Sequence, residues 1–230
     1  MIPKPAVDYC RFRLRRWKDP EFSHVRLLLF WPVFGLLFFL AERNVLSVTY
    51  QPVSCPLDDL IPFCEWFLIP YLYWFLFLAG GLLYGFLYDP QSFRRTMWFI
   101  IVTYSLTLLV YLLWPTCQNL RPAVFPRDNL LTRFVAAFYN FDTNTNVCPS
   151  IHVLGSVAIP AGLWHSPAFR GRTRRTALCL QAALISVSTV FMKQHSILDV
   201  LAAIPLCILG YMLIHSRFFE NFCKICQFLC

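Results

Sequence analysis

The chain has 230 residues, 58% of them hydrophobic and only 14% charged, with 23 Phe, 7 Trp and a mean hydropathy of +0.56. So little polar surface excludes an ordinary soluble domain and implies one membrane domain. The formal charge of +8 invites a nucleic-acid reading, but the basic residues sit where loops leave apolar runs, which makes them topology signal and headgroup contact instead.

A basic leader over 1–25, with "CRFRLRRWK" at 10–18, precedes the first apolar run. It imitates a secretory signal, yet no small-residue cleavage site follows "GLLFFLAERN", so the run counts as a span. Six spans are expected, at 26–42, 65–88, 96–114, 149–164, 176–192 and 196–214, measured against the ~20 residues that cross a bilayer as helix. The fold class is therefore all-α and polytopic: one six-helix bundle over 26–214, followed by a Cys-rich tail at 215–230.

Two connections on one side of the membrane are long, 43–64 and 115–148. The second contains "LLTRFVAAFYNF" (130–141), where Leu131, Phe134, Val135 and Phe138 recur at helical spacing. That pattern predicts a short interfacial helix in the outer loop. Most Lys and Arg fall on the side shared by the termini, leaving Arg43, Arg121, Arg127, Arg133 and Lys193 opposite. The excess of positive charge puts both termini in the cytoplasm and the long loops outside.

Of ten cysteines, Cys55, Cys64, Cys117 and Cys148 fall on the outer side, where pairing is open to them if that compartment oxidises. Cys223, Cys226 and Cys230 crowd the tail as "CKICQFLC". A lone C-x-x-C is a weak metal signal, and lipid attachment or apolar packing accounts for it better. No metal and no cofactor is expected.

The polar residues of the fourth and sixth spans carry the chemistry. In "KQHSILDVLA" (193–202), His195 and Asp199 are four apart, on one helix face. An Asp holding the Nδ1 proton leaves Nε2 as a lone-pair nucleophile and stabilises an imidazolium. In "NVCPSIHVLG" (146–155), Pro149 suits the first helical position, so that the Ser150 and Ile151 amides and the Ser150 hydroxyl face an anion, with His152 in the same turn. Arg121 supplies a cation on the same side. Ionisable groups at membrane depth are costly and mark function by default. Read plainly, the same residues are interfacial polar groups and a charged pair at a helix contact; the constellation favours a phosphoryl-transfer site with His195, His152 and Asp199 as catalytic groups.

The series Arg121-Pro122, Pro149-Ser150-Ile151-His152 and Ser188 to Asp199 resembles the type-2 phosphatidic acid phosphatase superfamily, which includes lipid phosphate phosphatases and, more distantly, sphingomyelin and inositol phosphorylceramide synthases. The family blocks are Lys-x6-Arg-Pro, Pro-Ser-Gly-His and Ser-Arg-x5-His-x3-Asp, and the likeness covers about residues 96–214. Trp114, Ile151 and Thr189 stand where the family has Lys, Gly and Arg; the "FDTNTNVCPSIHV" stretch reads more like the synthase branch. The resemblance implies that His195 attacks phosphorus to form a phosphohistidine oriented by Asp199, and that His152 protonates the leaving oxygen. It implies phosphate contacts from Arg121 and Ser150; Lys193, Arg127 or Arg133 stands in for the missing cations. The activity implied is hydrolysis of a phospholipid or isoprenoid phosphate, or pyrophosphate, without metal. The alternatives are transfer of a phospho-headgroup to a second lipid, or a non-catalytic lipid-binding or transport protein on the same scaffold. No nucleic-acid partner is expected.

Overall fold

The computed structural model describes residues 4–17, 19–42, 48–217 and 219. Arg43, Lys18, Lys224 and the tail cysteines Cys223, Cys226 and Cys230 lie outside the described residues, as does most of the tail assigned to 215–230.

The leader folds back on the bundle: Ala6 N–H donates to Leu87 O, and the Tyr9 ring stacks on Phe86 at 4.9 Å. A 3-10 stretch, Pro20–Leu29, then runs into helix α1, Phe30–Glu42. Strand β1, Gln51–Pro52, and the short helix α2, Pro56–Leu60, follow. Helix α3, Leu68–Tyr88, and α4, Pro90–Leu113, form an antiparallel pair joined at Asp89, whose carboxylate accepts from Ser92 N–H at the start of α4. Strand β2, Thr116–Cys117, pairs parallel with β1, and Cys117 bridges to Thr145. Helix α5, Leu130–Phe141, lies where the interfacial helix was expected, capped by Asn129. The last three helices are α6, Ile151–Leu163, α7, Arg172–Phe191, and α8, Ile197–Ile214.

The described chain is mainly helical, and four helical stretches are long and apolar enough to cross a membrane: Pro20–Glu42, Glu65–Tyr88, Pro90–Leu113 and Ile197–Ile214. Two of the six expected spans fall outside that set, for different physical reasons. Helix α7 has the length but begins with Arg172, Arg174 and Arg175 and carries Gln181, Ser186, Ser188 and Thr189. Helix α6 is too short, with 13 residues against the ~20 that a bilayer requires. Pro149 does not sit at the first helical position; Ser150 is the N-cap and the helix begins at Ile151.

Helix α6 is the inner helix. All its residues from His152 to Leu163 except Val157 are buried, against α3, α4, α7 and α8. Its neighbours turn apolar side chains outward, including Leu36, Leu76, Leu113, Leu180 and Met212. That is the inside-out pattern of a bundle sheathed in lipid. Close packing around α6 depends on small residues. A Cβ on Gly162 would lie 2.8 Å from Thr96 Cα on α4, and one on Gly155 would strike the Tyr104 hydroxyl.

Gly162→Ala therefore pushes α6 away from α4. We expect a loss of about 1–3 kcal/mol, read as a lower unfolding temperature of the purified protein in detergent.

Candidate functional site

Helix amino termini supply the frame. Helix α8 begins with a capping box: Ser196 is the N-cap, and Asp199 Oδ2 accepts from Ser196 N–H at 2.9 Å. The same oxygen lies 3.1 Å from His195 Nδ1. A carboxylate only accepts, so Nδ1 carries the hydrogen and Nε2 keeps its lone pair. Asp199 also reaches the other helix through its main chain, since its carbonyl accepts from Ser150 N–H at 3.1 Å. That bond draws the start of α6 against the first turn of α8 and brings His152 to His195.

The two imidazoles meet, with His152 Nδ1 3.4 Å from His195 Nε2 and ring centroids 5.5 Å apart. With both rings neutral and His195 Nε2 unprotonated, the shared hydrogen belongs to His152 Nδ1. His152 is 8% exposed, His195 5% and Asp199 fully buried. Tyr71 and Trp74, on α3, hold the His152 ring at centroid distances of 4.6 and 4.5 Å. The imidazole contact leaves no gap between the two nitrogens.

The remaining expected site residues have other partners. Ser150 is fully buried with its Oγ unpaired, and its N–H is spent on Asp199. Arg121 lies one layer behind: its guanidinium donates to Gln194 Oε1 and to the carbonyls of Tyr139, Asp142 and Thr143, over the Tyr139 ring at 4.4 Å. Lys193 turns away, donating to Asp58 O at 2.6 Å; burial lowers its pKa while Asp58 and Asp59 raise it, with a net fall. Arg127 pairs with Glu65 at 2.8 Å and Arg133 with Asp128 at 3.0 Å. Cys55, Cys64, Cys117 and Cys148 are all free thiols.

What does line the pocket beside the imidazoles is acidic. Glu42 and Asp142 border it together with Tyr71, Asn146 and Gln194, and no Lys or Arg is among its lining residues. Asp142 Oδ2 accepts from Tyr71 Oη and Gln194 Nε2, each at 3.0 Å. Burial pushes the Asp142 carboxyl up from its ordinary value, against the Tyr71 hydroxyl and the charges of His195 and Arg121. A separate apolar groove lies between α7 and α8, walled by Val187, Val190, Ile197 and Val200 and capped by Ile61.

Sequence reasoning missed Asp58. It is buried on α2, and its carboxylate accepts from Ser196 Oγ at 2.6 Å, Ile197 N–H at 2.8 Å and Cys55 N–H at 2.8 Å. It thus completes the start of the helix that carries Asp199. The one available signal was the "CPLDDL" stretch (55–60), a capped helix start in the connection before α3. Comparison with protein-family models, curated proteins and solved structures finds no match.

Burial raises the Asp58 pKa, but the Ser196 hydroxyl and the Ile197 and Cys55 amides outweigh it, so the net shift is downward. Its stabilisation is therefore present above the ordinary carboxylate range of about 4 and is lost as pH falls below it. Asp58→Ala strands those donors and costs about 1–3 kcal/mol. Unfolding temperatures of wild type and variant, compared at neutral and acidic pH, should converge as the pH drops.

Proposed function

We propose that this chain is an integral membrane lipid phosphatase that hydrolyses a lipid phosphate or pyrophosphate through a phosphohistidine on His195. The observation that carries the reading is the meeting of His195 Nε2 and His152 Nδ1 with Asp199 behind. A nucleophile, an orienting carboxylate and a second imidazole in contact form the minimal set for covalent phosphoryl transfer.

The lone pair of His195 Nε2 attacks phosphorus and the P–O bond to the lipid breaks. His152, neutral at rest, takes up a proton together with the incoming anionic phosphoester; it gives that proton to the departing oxygen and becomes neutral again. It then takes a proton from water, the hydroxide attacks phosphorus, and the P–N bond breaks to free phosphate and restore His195. Asp199 holds the Nδ1 proton throughout and stabilises the charge that builds on the ring. We place the site at the outer face, both termini in the cytoplasm, and read α6, short because its neighbours enclose it, and α7 as the fourth and fifth helices of a six-helix membrane bundle.

One observation favours a second reading, transfer of a phospho-headgroup to another lipid alcohol. The pocket is narrow and walled by Glu42 and Asp142 without a lining cation, a poor seat for free phosphate. The two readings share the covalent intermediate.

Purified protein given lipid phosphates should release inorganic phosphate, and a phosphodiester product would indicate transfer instead. His195→Ala should lose at least about a thousandfold and Asp199→Asn a comparable amount. A phosphoryl label on wild type, absent from His195→Ala, would locate the intermediate. Full biological activity in His195→Ala would favour a non-catalytic lipid-binding or transport role instead.

A further inference from the structure

The polar wall of the pocket calls for a hydrogen-bond donor. Asn146 is 5% exposed and its Oδ1 is buried without a partner; Glu42 Oε1 is in the same condition. Both residues line the pocket with Asp142. The hydroxyls nearby are engaged, since Thr143 donates to Glu42 and Thr145 to Thr143. Gln194 is used at both ends, by Arg121 and by Asp142. A phosphate is all acceptor and negative, and it answers none of this demand. Unsatisfied buried acceptors are costly, and paired carboxyls hold a proton or a cation most readily. A buried ammonium group answers the carboxyls with its charge and the Asn146 oxygen with its N–H donors.

We propose that this pocket receives an ammonium group of the substrate headgroup, held by Glu42, Asp142 and Asn146 while its phosphoryl group meets the imidazoles. The inference rests on the phosphoester reading above and narrows its substrate to amine-bearing phosphoesters. The phosphoryl group and the ammonium are then neighbours in one zwitterion. Each is placed against the side of the site with complementary charge: the anion on the imidazoles, the cation on the carboxyls. Two lipid sources share this chemistry, an aminoethyl phosphodiester and the phosphate monoester of a long-chain amino alcohol.

Calorimetric titration of the full-length detergent-purified protein with short-chain lipids below their micelle concentration tests the idea. Phosphatidylethanolamine is matched with phosphatidylmethanol, and a long-chain base phosphate with its N-acetyl form. Within at least one pair the amine-bearing member should bind about fivefold tighter or more, and the pair concerned identifies the source. Glu42→Gln should bring that ratio towards one. Asn146→Asp should raise it, because an Asp tolerates the positive φ of 52° at that position and adds negative charge. Equal affinities within both pairs, or a preference that neither variant moves, overturns the proposal. Repeating the titration on His195→Ala separates the two readings. An amine preference that persists there sustains this site even if the same variant keeps its activity and removes the phosphohistidine.

Discussion

Two helix amino termini are pressed together in this molecule, and the rest of the site follows from what that requires. The unpaired amides at each end carry partial positive charge and need acceptors. Asp199 answers for both: its carbonyl takes the Ser150 amide of α6 and its carboxylate takes the Ser196 amide of α8. Asp58 takes the next amide along, at Ile197. With the termini held, His152 and His195 have little choice but to touch. The residue that orients the proposed nucleophile is thus the residue that docks the helices, and fold and chemistry are the same bonds.

The long connections act as a scaffold around that junction. Gln118, fully buried, donates to Lys193 O, and its own amide oxygen accepts from Leu120 N–H. Arg121 gathers the end of α5 and the segment after it onto Gln194. Glu65 at the foot of α3 takes Arg127 and Asn129 Nδ2. Arg121, Arg127 and Lys193 are thus spent on protein partners, and the polar lining of the pocket is left to carboxyls, hydroxyls, amides and imidazoles. That arrangement explains how a chain lacking two of the cations its motif resemblance implies still assembles an ordered polar centre.

What the sequence disclosed was whatever is local. The four-residue step from His195 to Asp199 is a helical contact, and it is a hydrogen bond in the structure. The apolar periodicity of 130–141 became α5 with the same bounds. Long-range relations were hidden, because no spacing rule connects Asp58 to Ser196 across 138 positions or Arg121 to Gln194 across 73. The start of α6 was misjudged by Pro149: proline is tolerated at a first helical position, but here the Ser150 amide is turned to the Asp199 carbonyl. The length of α6 was also illegible from hydropathy, since an apolar run reads alike whether it faces lipid or is enclosed by four neighbours.

The enclosure of α6 has a consequence for selectivity. Any ligand that reaches His152 must shed much of its hydration, because the ring is buried and flanked by Tyr71 and Trp74. A freely dissolved phosphoester has nothing to offset that dehydration except the handful of contacts within. A molecule anchored by long hydrocarbon tails arrives already confined to two dimensions, at high local concentration and with its orientation set. On the proposed lipid reading, tethering by the bilayer would then set membrane-anchored phosphoesters apart from dissolved ones.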